Sequence, residues 1–516
     1  MRQGLIRVPT MVALVGAAGL APLDTGGLDV SERDVMLITY GDMLRRAGEA
    51  PLRTLHRFLQ ATAAPALNSV HLLPFFPYTS DDGFSVVDYW QINPDLGDWG
   101  DVRAMGGDFR LMFDAVFNHI SQASDWFQRF LRDEAPYSAY FHVIDPAVDL
   151  SQVVRPRTLP LLTPFETPSG VKHVWTTFSA DQIDLNFSTP AVLIETLRAL
   201  LFYVAQGATF IRLDAIAFLW KVPGTSSIHL EETHEVIRLM RDVLDVAAPQ
   251  VILITETNVP HTENISYFGD GSNEAQLVYN FALPPLTLHT LRTGDASALT
   301  AWAATLERPG ARTTYFNFTA SHDGVGVRPL TGLLPDDQIA ALVEMTQDHG
   351  GLINYRGLPD GGRTPYELNI TYFDAVTHPA LTEADPHTAV RRFLVSQAIA
   401  LALMGLPGVY FHSLYGSRND YAGVRATGHN RSINREKFFV EALEAELNIE
   451  GSIRQQVYAG YKHLLEVRRT QAAFHPLAGQ RVLSLHPAVF ALERLPLDDS
   501  PPLLALHNVS GESVTL

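Results

Sequence analysis

Two charged side chains interrupt an apolar run, FIRLDAIAF (residues 210–218): Arg212 and Asp214. Side chains alternate across a strand, so residues two apart point the same way. Positive charge on the same face is expected to lower the pKa of Asp214 and keep it ionised. Three other apolar runs turn polar only at their C-terminal ends. RLMFDAVFNH ends in Asp114, Asn118 and His119, VILITETN in Glu256 and Asn258, and TTYFNFTASHD in His322 and Asp323. Two carboxylates aimed at one bond are the equipment of glycoside cleavage. One attacks the anomeric carbon and the other protonates the leaving oxygen, with retention of configuration when they stand about 5 Å apart. Asp214 suits the ionised nucleophile. Glu256 suits the proton donor, because its neighbours Ile254, Thr255 and Thr257 are uncharged and leave desolvation and a like-charged partner to raise its pKa. Taken singly, Arg212 with Asp214 equally suits a buried structural ion pair, and His322 a satisfied core histidine. Four such ends in one sheet do not.

These residues need strands that converge. After Ser31 the chain repeats one unit: a Val/Ile/Phe-rich run, a polar loop, then a helical stretch with apolar residues three and four apart. Eight runs read as strands, at 35–42, 69–75, 110–118, 209–218, 251–258, 277–283, 313–323 and 408–414. Helices are expected at 51–64, 190–206, 234–247, 387–404 and about 452–470, two of them opening on proline. Nearly continuous apolar strands alternating with helices predict an α/β protein with a closed parallel (β/α)8 TIM barrel. An open doubly wound sheet would need a Gly-rich phosphate loop after the first strand, and none is there. The barrel is assigned to 34–119 and 189–470. The third connection is far longer than one helix requires, so 120–188 is expected to form an inserted subdomain (domain B) on the catalytic face. Residues 471–516 read as a short C-terminal β module, and 1–33 as an extension.

The chain has 516 residues, enough for one large barrel with attachments. Its formal charge of −18 argues against a nucleic-acid or anionic-membrane partner and points to a small molecule. With no cysteine there is no thiolate metal site or cysteine nucleophile. No cluster has convincing metal-ligand spacing, and the proposed chemistry calls for no metal or cofactor. The stretch Val8–Leu23 is charge-free and signal-like, but Pro9 interrupts it and it is short for a bilayer span. A non-secreted extension is the favoured reading, which places the protein in the cytoplasm. Oligomeric state is not encoded in any pattern found.

The segments DAVFNH (114–119), FIRLDAIAF, ITETN (254–258) and ASHDG (320–324) resemble, in order, the four motifs of the α-amylase superfamily, glycoside hydrolase family thirteen. That resemblance implies Asp214 as nucleophile, Glu256 as acid/base and Asp323 as a third carboxylate gripping sugar hydroxyls. Asp114, His119, Arg212 and His322 would line the subsite of the cleaved glucosyl unit. LITYGDML, LLPFFPYTSDDGFSVVDYWQINPDLGDW and NRSINREK are similar to the sucrose phosphorylase branch. This likeness implies Asp81 and Arg435 on the outer glucose hydroxyls, Phe84 and Phe178 as apolar walls, and inorganic phosphate as the acceptor, held by Arg157. Arg155 and Lys172 lie near it in sequence. The loop from Gly350 to Ala375 departs from the sucrose-specific form: it is longer, carries Arg356 and Arg363, and reads Tyr366-Glu367. Extra guanidinium groups suit an anionic aglycone. Together with 155–187 and 411–435, the loop looks more like the glucosylglycerate phosphorylases of the branch, which implies reversible transfer of glucose from 2-O-α-glucosylglycerate to phosphate. Sucrose, sucrose 6-phosphate or glucosylglycerol as substrate, a plain α-glucoside hydrolase and an inactive amylase-like scaffold are the alternatives. The stretch after 471 is shorter than the branch's usual C-terminal β domain.

Overall fold

The computed structural model describes residues 28–358 and 362–516. The expected barrel is present and closed, with eight parallel strands. These are β1 (Met36–Thr39), β2 (Ser69–Leu72), β3 (Arg110–Ala115), β4 (Ala208–Leu213), β5 (Ile252–Thr255), β6 (Leu277–Tyr279), β7 (Thr314–Phe318) and β8 (Leu406–Tyr410). Each pairs with its neighbour in sequence, and β8 closes onto β1 with Met36 opposite Gly408. The strands are almost wholly buried because helices cover the outer surface while side chains fill the interior, so both faces select apolar residues.

The surrounding helices carry the expected stripes. Pro51–Thr62 buries Leu52, Leu55, Phe58 and Leu59 at helical spacing, and Pro190–Ala205 and Pro386–Ala402 also start on proline, where the missing N–H costs nothing. The strands are shorter than expected at their C-terminal ends. The run at 209–218 stops at Leu213, because Ala215 takes a left-handed backbone conformation (φ 48°) that turns the chain away directly after Asp214. Polar residues therefore stand at or just past the strand ends, where the barrel mouth opens.

Residues 120–188 carry a helix (Asp125–Leu131), a hairpin (Leu162–Thr167 with Gly170–Trp175) and a strand, Gln182–Asp184, that pairs antiparallel with His119–Ser121. The Gly350–Ala375 stretch is not a plain loop. Leu352–Gly357 and Arg363–Asn369 form a hairpin, and Val325–Gly326 joins it as a third strand, leaving the hairpin half-buried beside the mouth. Near the C-terminus, Gly479–His486, Val489–Leu495 and Leu503–Asn508 form an antiparallel sheet. Buried Arg494 ties it to the barrel by donating to the carbonyls of Ala402 and His475, each at 2.9 Å. The extension assigned to 1–33 lies, up to residue 27, outside the described residues. Among the described residues no helix is long and apolar enough to cross a membrane.

Candidate active site

A solvent-open cleft lies at the C-terminal ends of the strands, with about 700 Å³ of empty space counting the open solvent at its mouth. Asp214, Glu256 and Asp323 all face it, together with Asp81, Phe84, His119, Phe178, His322, Arg157, Tyr366 and Glu367. Four of the sequence-based candidates do not line it: Asp114, Arg212, Arg435 and Arg363.

Arg212 and Asp114 lie beneath the floor. Asp114 is fully buried, with one oxygen 2.7 Å from His71 Nε2 and the other accepting from Arg212 Nη1. The same Nη1 donates to Asp214 at 2.8 Å, while Nη2 stands 3.8 Å from Glu256. One guanidinium therefore holds both cleft carboxylates from below. Glu256 is fixed a second time by the Ala215 N–H, which donates to its Oε2 at 3.0 Å. The left-handed turn at Ala215 thus aims an amide across to the next strand. Strain of that kind in a non-glycine residue is a feature of functional sites.

One wall is aromatic. Phe84 lies flat on His322, with centroids 4.7 Å apart and planes 3° apart, and Phe178 packs on His119. His119 Nε2 donates to the Phe84 carbonyl at 2.8 Å while Nδ1 accepts from Asn118, which fixes the ring and its tautomer.

Arg435 and Arg363 need correction. Arg435 points behind the floor, spending Nη1 on Asp82 at 2.6 Å and Nε on the His322 carbonyl at 2.7 Å, with Nη2 3.8 Å from Asp323. The cleft wall is formed instead by Arg431, one turn earlier. It pairs with Asp323 at 2.7 Å, grips Glu367 through Nε and Nη2, and stands 3.9 Å from Asp81. Arg363 is exposed and stacked over the Tyr355 ring at 4.7 Å, because the hairpin places it near the outer turn. Arg157 does face the cleft, 4.0 Å from Glu367 and beside Tyr366. Arg328, which sequence reasoning passed over, faces it as well, as do Gln182 and Asn258.

The titration of Asp214 also departs from expectation. Burial pushes Asp214 well above the ordinary carboxylate range. Arg212 pulls it back, and Glu256, Asp114 and Asp323 push it up again. The net shift is upward, not downward as Arg212 alone would give, because burial and the three neighbouring carboxylates outweigh that guanidinium. Glu256 is likewise raised by burial, with Arg212 opposing and Asp323 adding. Burial alone would raise Asp323 too, but Arg431, Arg435 and Arg212 hold it below its usual value. Burial, Arg435 and Arg212 keep His322 neutral, its pKa far below the histidine range. Asp214 and Glu256 are thus both shifted toward the protonated form, and Asp323 toward the ionised one.

One buried pair ties residues 120–188 to the barrel. Lys221 Nζ, just after β4, lies 2.7 Å from Asp184 and donates to Asn118 at 2.8 Å. Asp184 also accepts from the Thr177 N–H and hydroxyl, each at 2.7 Å. The isolated lysine in IAFLWKVPG was the available signal for this contact.

The family description "Alpha amylase, catalytic domain" matches residues 65–333. A glucosylglycerate phosphorylase of Allomeiothermus silvanus is 55% identical over 453 residues, covering 88% of this chain and 81% of its own. A sucrose phosphorylase of Agrobacterium vitis is 32% identical, covering 86% and 89%. Among solved structures, sucrose 6F-phosphate phosphorylase from Thermoanaerobacter thermosaccharolyticum superposes with a TM-score of 0.80 at 25% identity, over 94% of this chain and 96% of that one.

Proposed function

The chain belongs to the alpha-amylase family, and on that premise we propose that it is a retaining α-glucoside phosphorylase acting on 2-O-α-glucosylglycerate. The observation carrying the substrate choice is the gap in similarity: 55% identity to a glucosylglycerate phosphorylase against 32% to a sucrose phosphorylase, over nearly the same span. A glycoside phosphorylase takes an α-glucoside and inorganic phosphate as its substrates.

Asp214 Oδ attacks the anomeric carbon, forming a glucosyl ester as the bond from that carbon to the glycerate oxygen breaks. Glu256 delivers its proton to the departing oxygen. Phosphate then attacks the same carbon from the vacated side and returns a proton to Glu256, and the ester bond breaks to give α-glucose 1-phosphate. Two inversions leave the configuration retained. The donated proton is placed on Glu256, because Asp214 has the guanidinium at 2.8 Å and Glu256 only at 3.8 Å. Both carboxyls are held on one guanidinium, and Glu256 is bonded to the residue after Asp214, which fits the short separation that retention needs. Asp323 and Asp81 accept from sugar hydroxyls, and Arg431 orients both carboxylates. Arg157 supplies positive charge for a phosphate dianion that must approach a site already holding three carboxylates.

The test supplies α-glucose 1-phosphate with glycerate, glycerol, fructose or fructose 6-phosphate in turn and measures released phosphate. Glycerate is expected to give the fastest release. A companion incubation of glucosylglycerate with and without phosphate should yield α-glucose 1-phosphate only with it. Free glucose at equal rates in both would overturn the phosphorylase reading.

A further inference from the structure

We infer that Arg328 is the residue that selects an anionic aglycone, by pairing with the carboxylate of glycerate. This deepens the reading above and rests on it. In 2-O-glucosylglycerate the carboxylate is attached to the carbon that bears the glycosidic oxygen. Its partner must therefore lie close to the proton donor, not out on the rim.

Arg328 follows a tight contact. The Val325–Gly326 strand pairs with Arg363–Asn369, and a Cβ on Gly326 would stand 2.4 Å from Asn258 Oδ1, three residues past β5. Glycine suits that contact, and Arg328, two residues on, lines the same cleft as Glu256 and Asn258.

Of the guanidiniums in that wall, Arg431 is consumed by Asp323 and Glu367. Arg157 has a single weak contact, 4.0 Å from Glu367. Among the described residues the Arg328 guanidinium makes one polar contact, 3.4 Å from Glu263, and that carboxylate is shared with His229 at 3.2 Å. Its side chain is 17% exposed and lines the cleft. A forked donor of this kind matches a carboxylate in two parallel hydrogen bonds. Arg363 is excluded by its stacking on Tyr355, and Arg356 does not reach the wall. In a double displacement the aglycone leaves before phosphate binds, so Arg328 and Arg157 never have to hold two anions together.

The experiment compares phosphorolysis of 2-O-α-glucosylglycerate and 2-O-α-glucosylglycerol, donors that differ by a carboxylate against a hydroxymethyl group. In Arg328→Ala, kcat/KM for glucosylglycerate should fall about 10- to 150-fold, the range for a hydrogen bond to a charged group. The neutral donor should change less than about threefold, which also reports intact folding. Arg328→Lys should fall between, since an ammonium keeps charge without the fork. Equal losses on both donors, or an unchanged ratio, overturn the Arg328 assignment alone. A parent enzyme that turns over sucrose but not glucosylglycerate overturns the substrate reading and this inference with it.

Discussion

Glu256→Gln separates proton donation from everything else Glu256 does. Glu256 Oε2 accepts the Ala215 N–H at 3.0 Å, and the glutamine carbonyl can take over that bond. The amide NH2 then occupies the place of Oε1, the oxygen available to carry the proton. Arg212 Nη2 stands 3.8 Å away and loses little, so the fold should be kept within about 1 kcal/mol. What disappears is general acid catalysis, worth roughly 10²- to 10⁴-fold, or about 3–5 kcal/mol at 1.36 kcal/mol per tenfold. The assay is pre-steady-state turnover of glucosylglycerate and of α-glucosyl fluoride, whose leaving group needs no proton. The variant should lose the full factor on the first and less than about tenfold in fluoride release. The pH profile gives an independent check. Burial and Asp323 raise the Glu256 pKa, and the protonated form is the active one. Activity of the parent should therefore be present below that pKa and decline as pH rises through it, and the variant should lack this alkaline limb. Equal losses on both donors, or a surviving alkaline limb, would refute the assignment.

Two further outcomes follow from the same geometry. Lys221→Met strands Asp184, and breaking a buried pair costs about 3–5 kcal/mol. Because the Thr177 N–H and hydroxyl still serve Asp184, we expect about 2–4 kcal/mol, seen as a lower unfolding midpoint, with more than half recovered by Asp184→Asn in the double variant. An unchanged midpoint would refute the coupling. Arg363→Ala should leave kcat/KM for glucosylglycerate within about threefold of the parent, because the guanidinium is stacked on Tyr355. A tenfold or greater loss would return Arg363 to the aglycone subsite.

The barrel and its mouth were legible because two periodicities coincide. Strands buried on both faces must be apolar throughout, so the polar ends at Asp114, Asp214, Glu256 and Asp323 stood out against them. What stayed hidden depends on orientation. In NRSINREK the arginines are four residues apart, and a short 3-10 turn over Asn430–Asn434 sends Arg431 into the cleft and Arg435 behind it. No apolar pattern distinguishes them. Arg363 stands away from the cleft, and Arg328 lines it unforeseen, because a strand pair, not a free loop, carries the 350–375 segment. His71 sits inside an apolar strand with nothing nearby to mark it, yet it holds the far oxygen of Asp114. The titration of Asp214 was misread for another reason: its sign is the balance of desolvation, one shared cation and three carboxylates, and sequence names only the cation.

The claim beneath all of this is that Asp214 carries the glucosyl unit between donor and phosphate. Incubating the protein with a 2-deoxy-2-fluoro-α-glucosyl donor, then digesting it and sequencing the labelled peptide by mass spectrometry, tests that directly. One added fluoroglucosyl group is expected, located on Asp214 within FIRLDAIAF and absent from Asp214→Ala. A label on any other residue, or undiminished turnover in Asp214→Ala, would contradict it.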